Sequence, residues 1–225
     1  MRDIARGLLR WLYGLRLAPV TLAVVAVTAL AFVVEEASGR WMYTDRLTQW
    51  IGFSPVRVEH GQWWRFPGSQ LVNPPMWSMA RHISAPEHFL TNMLALLLVG
   101  PFLERALGGA RYLSVYAVGG VCSQIGFLVL FPHGIGVGGG SSGGVAAVIG
   151  AAVVTGRATR RNSAAAERTA RRLTTLFVVL AVVSLRFSPV TNAIHLSGAL
   201  TGGILGTVYY LARQRRRLPS PRPAG

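Results

Sequence analysis

The sequence contains no lysine, a single cysteine and only 8 acidic residues in a chain of 225. One cysteine, Cys122, excludes a disulfide framework or a cysteine-based metal site within the chain. Standing in an apolar run, it reads as a small packing residue. Charge is scarce altogether, at 14% of residues against 51% hydrophobic, and that balance excludes an ordinary soluble domain. With lysine missing, all the basic charge is arginine, and 23 basic residues against 8 acidic leave a formal net charge of +15. Such an excess serves nucleic-acid binding only where the basic side chains gather on a soluble surface. Here they stand between apolar runs, so no nucleic acid is expected as a partner and the lipid bilayer is. Arginine-only usage fits the codon economy of a GC-rich bacterial genome. No small-residue cleavage site follows MRDIARGLLRWLYGLRLAPV at the amino terminus, which therefore reads as a retained, cytoplasmic, amphipathic lead-in over residues 1–16.

Apolar runs free of Arg, Asp and Glu extend over Leu17–Val34, Phe89–Leu103, Tyr112–Phe131, Ser142–Gly156, Leu173–Leu185 and Ile194–Ala212. A hydrocarbon core about 30 Å thick asks for about 20 helical residues, so the second, fourth and fifth runs are short, and the distribution of arginine decides them. Arg2, Arg6, Arg10 and Arg16 precede the first run. Arg105 and Arg111 separate the second from the third, six arginines from Arg157 to Arg172 separate the fourth from the fifth, and Arg213, Arg215, Arg216 and Arg217 follow the sixth. The intervening loop 132–140 has none, and the loop before the sixth run has only Arg186. The long first loop carries Arg40, Arg46, Arg57, Arg65 and Arg81, but long loops count for little in this rule. The fold class expected is all-α: a polytopic, multi-pass cell-membrane protein of six transmembrane helices over residues 17–212, with both termini cytoplasmic and a basic tail over 213–225.

With that topology the second, fourth and sixth spans all start at the outer surface. Their first turns hold the residues least suited to lipid: His88 and Asn92, Ser141 and Ser142, and His195. At 1.5 Å per residue, Ser142 lies roughly 21 Å from Gly156, His88 roughly 24 Å from Glu104 and His195 roughly 27 Å from Arg213, so all sit near one depth. Polar groups at such depth face a protein interior or a wet cavity. A lone serine packs helices and a lone histidine caps them, but a hydroxyl, an imidazole and a His/Asn pair on three spans at one level point to acyl transfer. His195 could take the proton of Ser142, the nucleophile. His88 and Asn92, four apart on one helix face, could join the Ser142 N–H in holding an oxyanion. Ser141 is the spare hydroxyl if the helix starts one residue earlier. The glycines of GGGSSGG, Gly138 to Gly144, let irregular backbone start a helix part-way into the membrane, which is tolerated only against protein or a cavity. Gly198, Gly202 and Gly206, facing the small residues from Gly143 to Gly150, allow two helices to approach closely.

The chain resembles the rhomboid family of intramembrane serine proteases. The resemblance rests on Gly140-Ser141-Ser142-Gly143, on His88 with Asn92, and on His195 followed by Gly198 and Gly202. It is supported by GQWWR at Gly61–Arg65 and LERALG at Leu103–Gly108. It implies a rhomboid-like six-helix bundle with the first loop partly in the membrane, and a Ser142/His195 dyad without a carboxylate. No cofactor or metal is implied, and the substrates would be transmembrane proteins. Three features depart from the family pattern: the long stretch from Arg65 to His88, Ala146 where many members carry an aromatic ring, and Ile194 where a small residue is common. The last two keep open a catalytically inactive membrane-protein-binding relative. Trp63 and Trp64 read as interfacial anchors. His60, His82 and His133, with Asp45, Glu59 and Glu87, are too scattered for a metal site. A small transporter or channel would need the internal inverted repeats that the sequence does not display.

Overall fold

The computed structural model describes residues 15–41, 44–77, 82–134, 136–160, 163–184 and 189–215. The lead-in arginines Arg2, Arg6 and Arg10, with Arg81, Arg161, Arg186, Arg216 and Arg217, lie outside the described residues. The long helices are α1 (Pro19–Ala37), α5 (Ala85–Leu107), α6 (Gly109–Leu130), α7 (Ser142–Thr159), α8 (Ala164–Ser184) and α9 (Pro189–Arg215). Between α1 and α5 the chain forms three short helices, α2 (Arg46–Ile51), α3 (Pro55–Glu59) and α4 (Arg65–Gly68). Two small antiparallel ribbons flank them: β1 (Arg40–Trp41) with β2 (Thr44–Asp45), and β3 (Met76–Trp77) with β4 (His82–Ile83). Among the described residues the apolar runs are helical, and these loop ribbons are the departure from an all-α fold.

Among the described residues, α1, α5, α6 and α7 are long and apolar enough to cross a membrane. The chain is a multi-pass membrane protein, and its burial pattern is that of a bundle in lipid. On α1 only Thr21, Thr28 and Glu35 are buried, one residue every seven, while Leu22, Val27, Leu30 and Val33 are exposed. The apolar face meets lipid and the narrow polar stripe meets protein, which is sensible only where the solvent is hydrocarbon. Helix α7 is central, packed against α5, α6, α8 and α9. The core of Leu96, Val99, Leu103, Tyr112, Val115 and Val148 gathers around its flank.

The helices overrun the apolar runs, because a helix needs capped ends as well as a greasy middle. Helix α5 starts at Ala85, where Ser84 and Glu87 form a reciprocal capping box over Pro86. Helix α9 starts at Pro189, five residues before the sixth run, so His195 stands in its second turn, about 9 Å in from the first residue. The expectation that His195 belongs to the first turn is corrected accordingly. Helix α8 begins nine residues before Leu173, taking in Arg168, Arg171 and Arg172 on exposed positions.

Glycine controls how near α7 and α9 come. A Cβ on Gly198 would run into the Gly143 carbonyl and one on Gly202 into the Ala147 carbonyl, and one on Gly206 would stand 2.8 Å from Ala151 Cα. The partners advance by four on both helices in the same direction, so α7 and α9 run parallel with backbones in contact.

Candidate active site

The first loop is tied down before it reaches the bundle. Asp45 caps α2 by accepting the Thr48 amide at 2.7 Å. Arg65, 3% exposed, donates to the carbonyls of Gly52 at 2.6 Å and Gln49 at 3.1 Å and to Gln62 Oε1 at 2.6 Å. Burial, and then the nearby Arg57, lower its pKa from the ordinary guanidinium value. Trp63 and Trp64 of the same GQWWR segment stay exposed, as interfacial anchors would. Phe53 and Gly138 exchange backbone hydrogen bonds at 2.7 and 3.0 Å, and the Gly140 amide donates to Ser69 at 2.9 Å. The glycine-rich segment before Ser142 is thus laced onto the first loop.

That lacing leaves a cavity of ≈ 260 Å³, lined by His88, Gln124, Ser142, Thr191 and Ile194, with the glycine segment from Gly136 to Gly140 along one side. Phe53 and Phe127, edge to face at 5.6 Å, form its apolar wall. Ser142 is the first residue of α7, so its amide belongs to the turn that has no intrahelical acceptor. Gly140 has φ +154, and the point its missing Cβ would occupy lies 2.9 Å from His88 Nε2 and 3.4 Å from Ser142 Oγ. Glycine is required there on both counts, and the space it leaves is within reach of a hydroxyl and an imidazole together.

His88 is buried, and its Nδ1 lies 2.9 Å from the Pro74 carbonyl. A carbonyl only accepts, so Nδ1 carries the hydrogen and Nε2 is the atom turned to the cavity. Asn92, one turn further along α5, points elsewhere: its Nδ2 donates to Asn73 Oδ1 at 2.9 Å, which leaves one N–H of that amide. Ser141 is fully buried and donates to the same Asn73 Oδ1 at 3.1 Å, a structural engagement for the spare hydroxyl. His195 follows Ile194 and stands one turn after Thr191, two residues that line the cavity. On the register of α7 against α9, Ser142 and His195 differ in height by about two residues, or about 3 Å. Among the described residues there is no group of three or more His, Cys, Asp and Glu side chains that could hold a metal ion.

Sequence reasoning passed over Asn73, Glu35 and Gln124. Gln124 and Glu35 did carry a signal, since each is a polar residue in or at the end of an apolar run and such residues face protein. Asn73, in PGSQLVNPP, reads as one more turn residue.

A multi-pass helical membrane protein in which Ser142 and His88 line one cavity, with His195 next to the lining residue Ile194, is a narrow class. Residues 60–212 match the Rhomboid domain family, and the chain belongs to that family. Over 120 residues it is 32% identical to a Bacillus subtilis (strain 168) protein named "Putative rhomboid protease YdcA", a match covering 52% of this chain and 53% of that protein. Over 109 residues it is 29% identical to "Rhomboid protease GluP" of the same organism, covering 48% of this chain and 20% of that protein. The chain thus spans about half the length of the first relative and a fifth of the second.

Proposed function

We propose that this protein is an intramembrane serine endopeptidase that cuts peptide bonds in or near transmembrane segments of other membrane proteins. The observation that carries the reading is the cavity shared by Ser142, His88 and two residues shortly before His195, Thr191 and Ile194, at the end of helices whose parallel register leaves Ser142 and His195 about 3 Å apart in height. In this reading α8 and α9 are the fifth and sixth spans, and both termini are cytoplasmic by the arginine distribution.

The chemistry follows from the atoms at hand. His195 takes the proton from Ser142 Oγ as that oxygen bonds to the substrate carbonyl carbon, and the C=O pair moves onto oxygen. The oxyanion accepts from the Ser142 N–H, from the remaining N–H of Asn92 and from His88 Nε2. Donation by His88 requires the doubly protonated ring, because its Nδ1 hydrogen is already given to Pro74. Collapse breaks the C–N bond, and the leaving amine takes the proton that His195 holds. Water admitted through the cavity then repeats the sequence on the acyl-serine, which releases the acid and restores Ser142. No carboxylate takes part.

The test uses a fluorophosphonate probe and a tagged single-pass protein. Ser142→Ala is expected to lose probe labelling and to slow cleavage by about 10³-fold or more, whereas Ser141→Ala keeps the label. Labelling that persists in Ser142→Ala rejects this nucleophile. The non-catalytic relative has one observation in its favour, since Ile194, where a small residue is common in the family, lines the same cavity as Ser142. Turnover by the purified chain in lipid removes that alternative.

A further inference from the structure

Asn73 lies in the loop between α4 and β3, and it is fully buried although it does not line the cavity. Its Oδ1 accepts two hydrogens at once, from Asn92 Nδ2 of α5 at 2.9 Å and from Ser141 Oγ, the residue before Ser142, at 3.1 Å. Its own backbone amide is gripped by both carboxylate oxygens of Glu35 on α1, at 3.0 and 2.9 Å. The next residue, Pro74, supplies the carbonyl that fixes the ring of His88. Two adjacent loop residues therefore set the positions of His88, of Asn92 and of the start of α7, and α1 holds the first of the two in place.

The amide is used in one sense only. Asn73 Nδ2 is buried with no hydrogen-bond partner, although buried polar atoms are nearly always paired. What the position exploits is a neutral oxygen with two lone pairs, both occupied, close to a carboxylate beside which a second negative charge would be costly.

We propose that Asn73 is a positioning residue of the active site: its side-chain oxygen holds Asn92 and Ser141 in mutual register, and so holds the nucleophile against the oxyanion donors. The proposal rests on the reading of Ser142 as nucleophile given above. Asn73 touches neither substrate nor the reacting atoms and acts through its two partners. Displacements of about 1 Å in such a constellation cost up to about 100-fold in rate.

The test measures fluorophosphonate labelling of the purified full chain in lipid at several probe concentrations, so that maximal labelling rate and half-saturation are obtained separately without a known substrate. Thermal midpoints are recorded alongside. Asn73→Leu, similar in shape but without the acceptor, is expected to lower the maximal rate per active molecule about tenfold or more while leaving half-saturation within about twofold. A wild-type maximal rate in Asn73→Leu overturns the proposal. Should Asn73→Leu not fold, Ser141→Ala carries the test by deleting one of the two donors. A several-fold slower maximal rate at an unchanged midpoint supports the proposal, and an unchanged rate overturns it. A Ser142→Ala control that labels like wild type instead rejects the nucleophile assignment beneath it.

Discussion

Helix α1 is held by a buried carboxylate near each end, and the two carboxylates work in opposite directions. At its start the carboxylate arrives from outside: Glu104 of α5 accepts the amides of Val20 and Thr21 at 2.9 and 2.7 Å and the Thr21 hydroxyl at 2.7 Å. These are first-turn donors with no partner inside the helix, and the positive end of the dipole favours the charge. Near its end α1 sends out its own carboxylate. Glu35, 1% exposed, takes the Asn73 amide and, at 3.1 Å, the Thr48 hydroxyl. The dipole there disfavours the negative charge, so it is the loop donors that offset the burial. The first arrangement locks helix to helix. The second fixes a loop on which His88, Asn92 and Ser141 depend.

That difference predicts two separable kinds of damage, and the largest effect should come from a change that causes both. Gly202→Leu would drive a side chain into the Ala147 carbonyl and part α7 from α9. We expect a loss of about 3 kcal/mol or more, since no rotamer avoids a backbone contact, and labelling lower by about 100-fold. A variant with a wild-type midpoint and full labelling would show that the parallel contact does not hold the site together.

Next comes Glu104→Ala, which strands three donors, two of them buried. At about 1 kcal/mol or more for each, the thermal midpoint should drop by roughly 10 °C while labelling per folded molecule stays near wild type. Glu35→Ala should reverse the emphasis, with a stability loss of about 2 kcal/mol but labelling per folded molecule down about tenfold. If the two variants lose labelling alike, the distinction between the ends of α1 fails. The smallest pair sharpens it further. Thr21→Val and Thr48→Val each remove one hydroxyl donor from one of the two carboxylates, and each should cost about 1 kcal/mol by thermal or denaturant unfolding. Only the second is expected to slow labelling measurably.

The sequence made different parts of this molecule legible to different degrees. Each apolar run lies within or almost within one of the six long helices found among the described residues, because lipid selects hydrophobic stretches residue by residue. Their ends were less legible. The capping box at Ser84 and Glu87 was present as an S-x-x-E signal just before the second run, and it starts α5 at Ala85, four residues before that run. Pro189 starts α9 five residues before the apolar run, and hydropathy does not register a polar first turn. The glycine stripe at Gly198, Gly202 and Gly206 did announce a close contact, since only residues without a Cβ permit one. The first loop was opaque. Its short helices, its ribbons and Asn73 have no periodicity to read, and Asn73 meets Ser141 across 68 positions of sequence.

From the amino acids alone followed the membrane, the approximate helices, the shared depth of Ser142, His88 and His195, and the small residues along which two spans would touch. These are local properties: each is set by a residue's own transfer energy or size and by helical spacing. What only the tertiary structure decided is how the loop is threaded, and with it the pairing of Glu35 with the Asn73 amide, of Asn73 with Asn92 and Ser141, and of Pro74 with His88. A hydrogen bond between distant positions depends on the path of the whole chain between them, and neither the composition nor the period of either partner encodes that path.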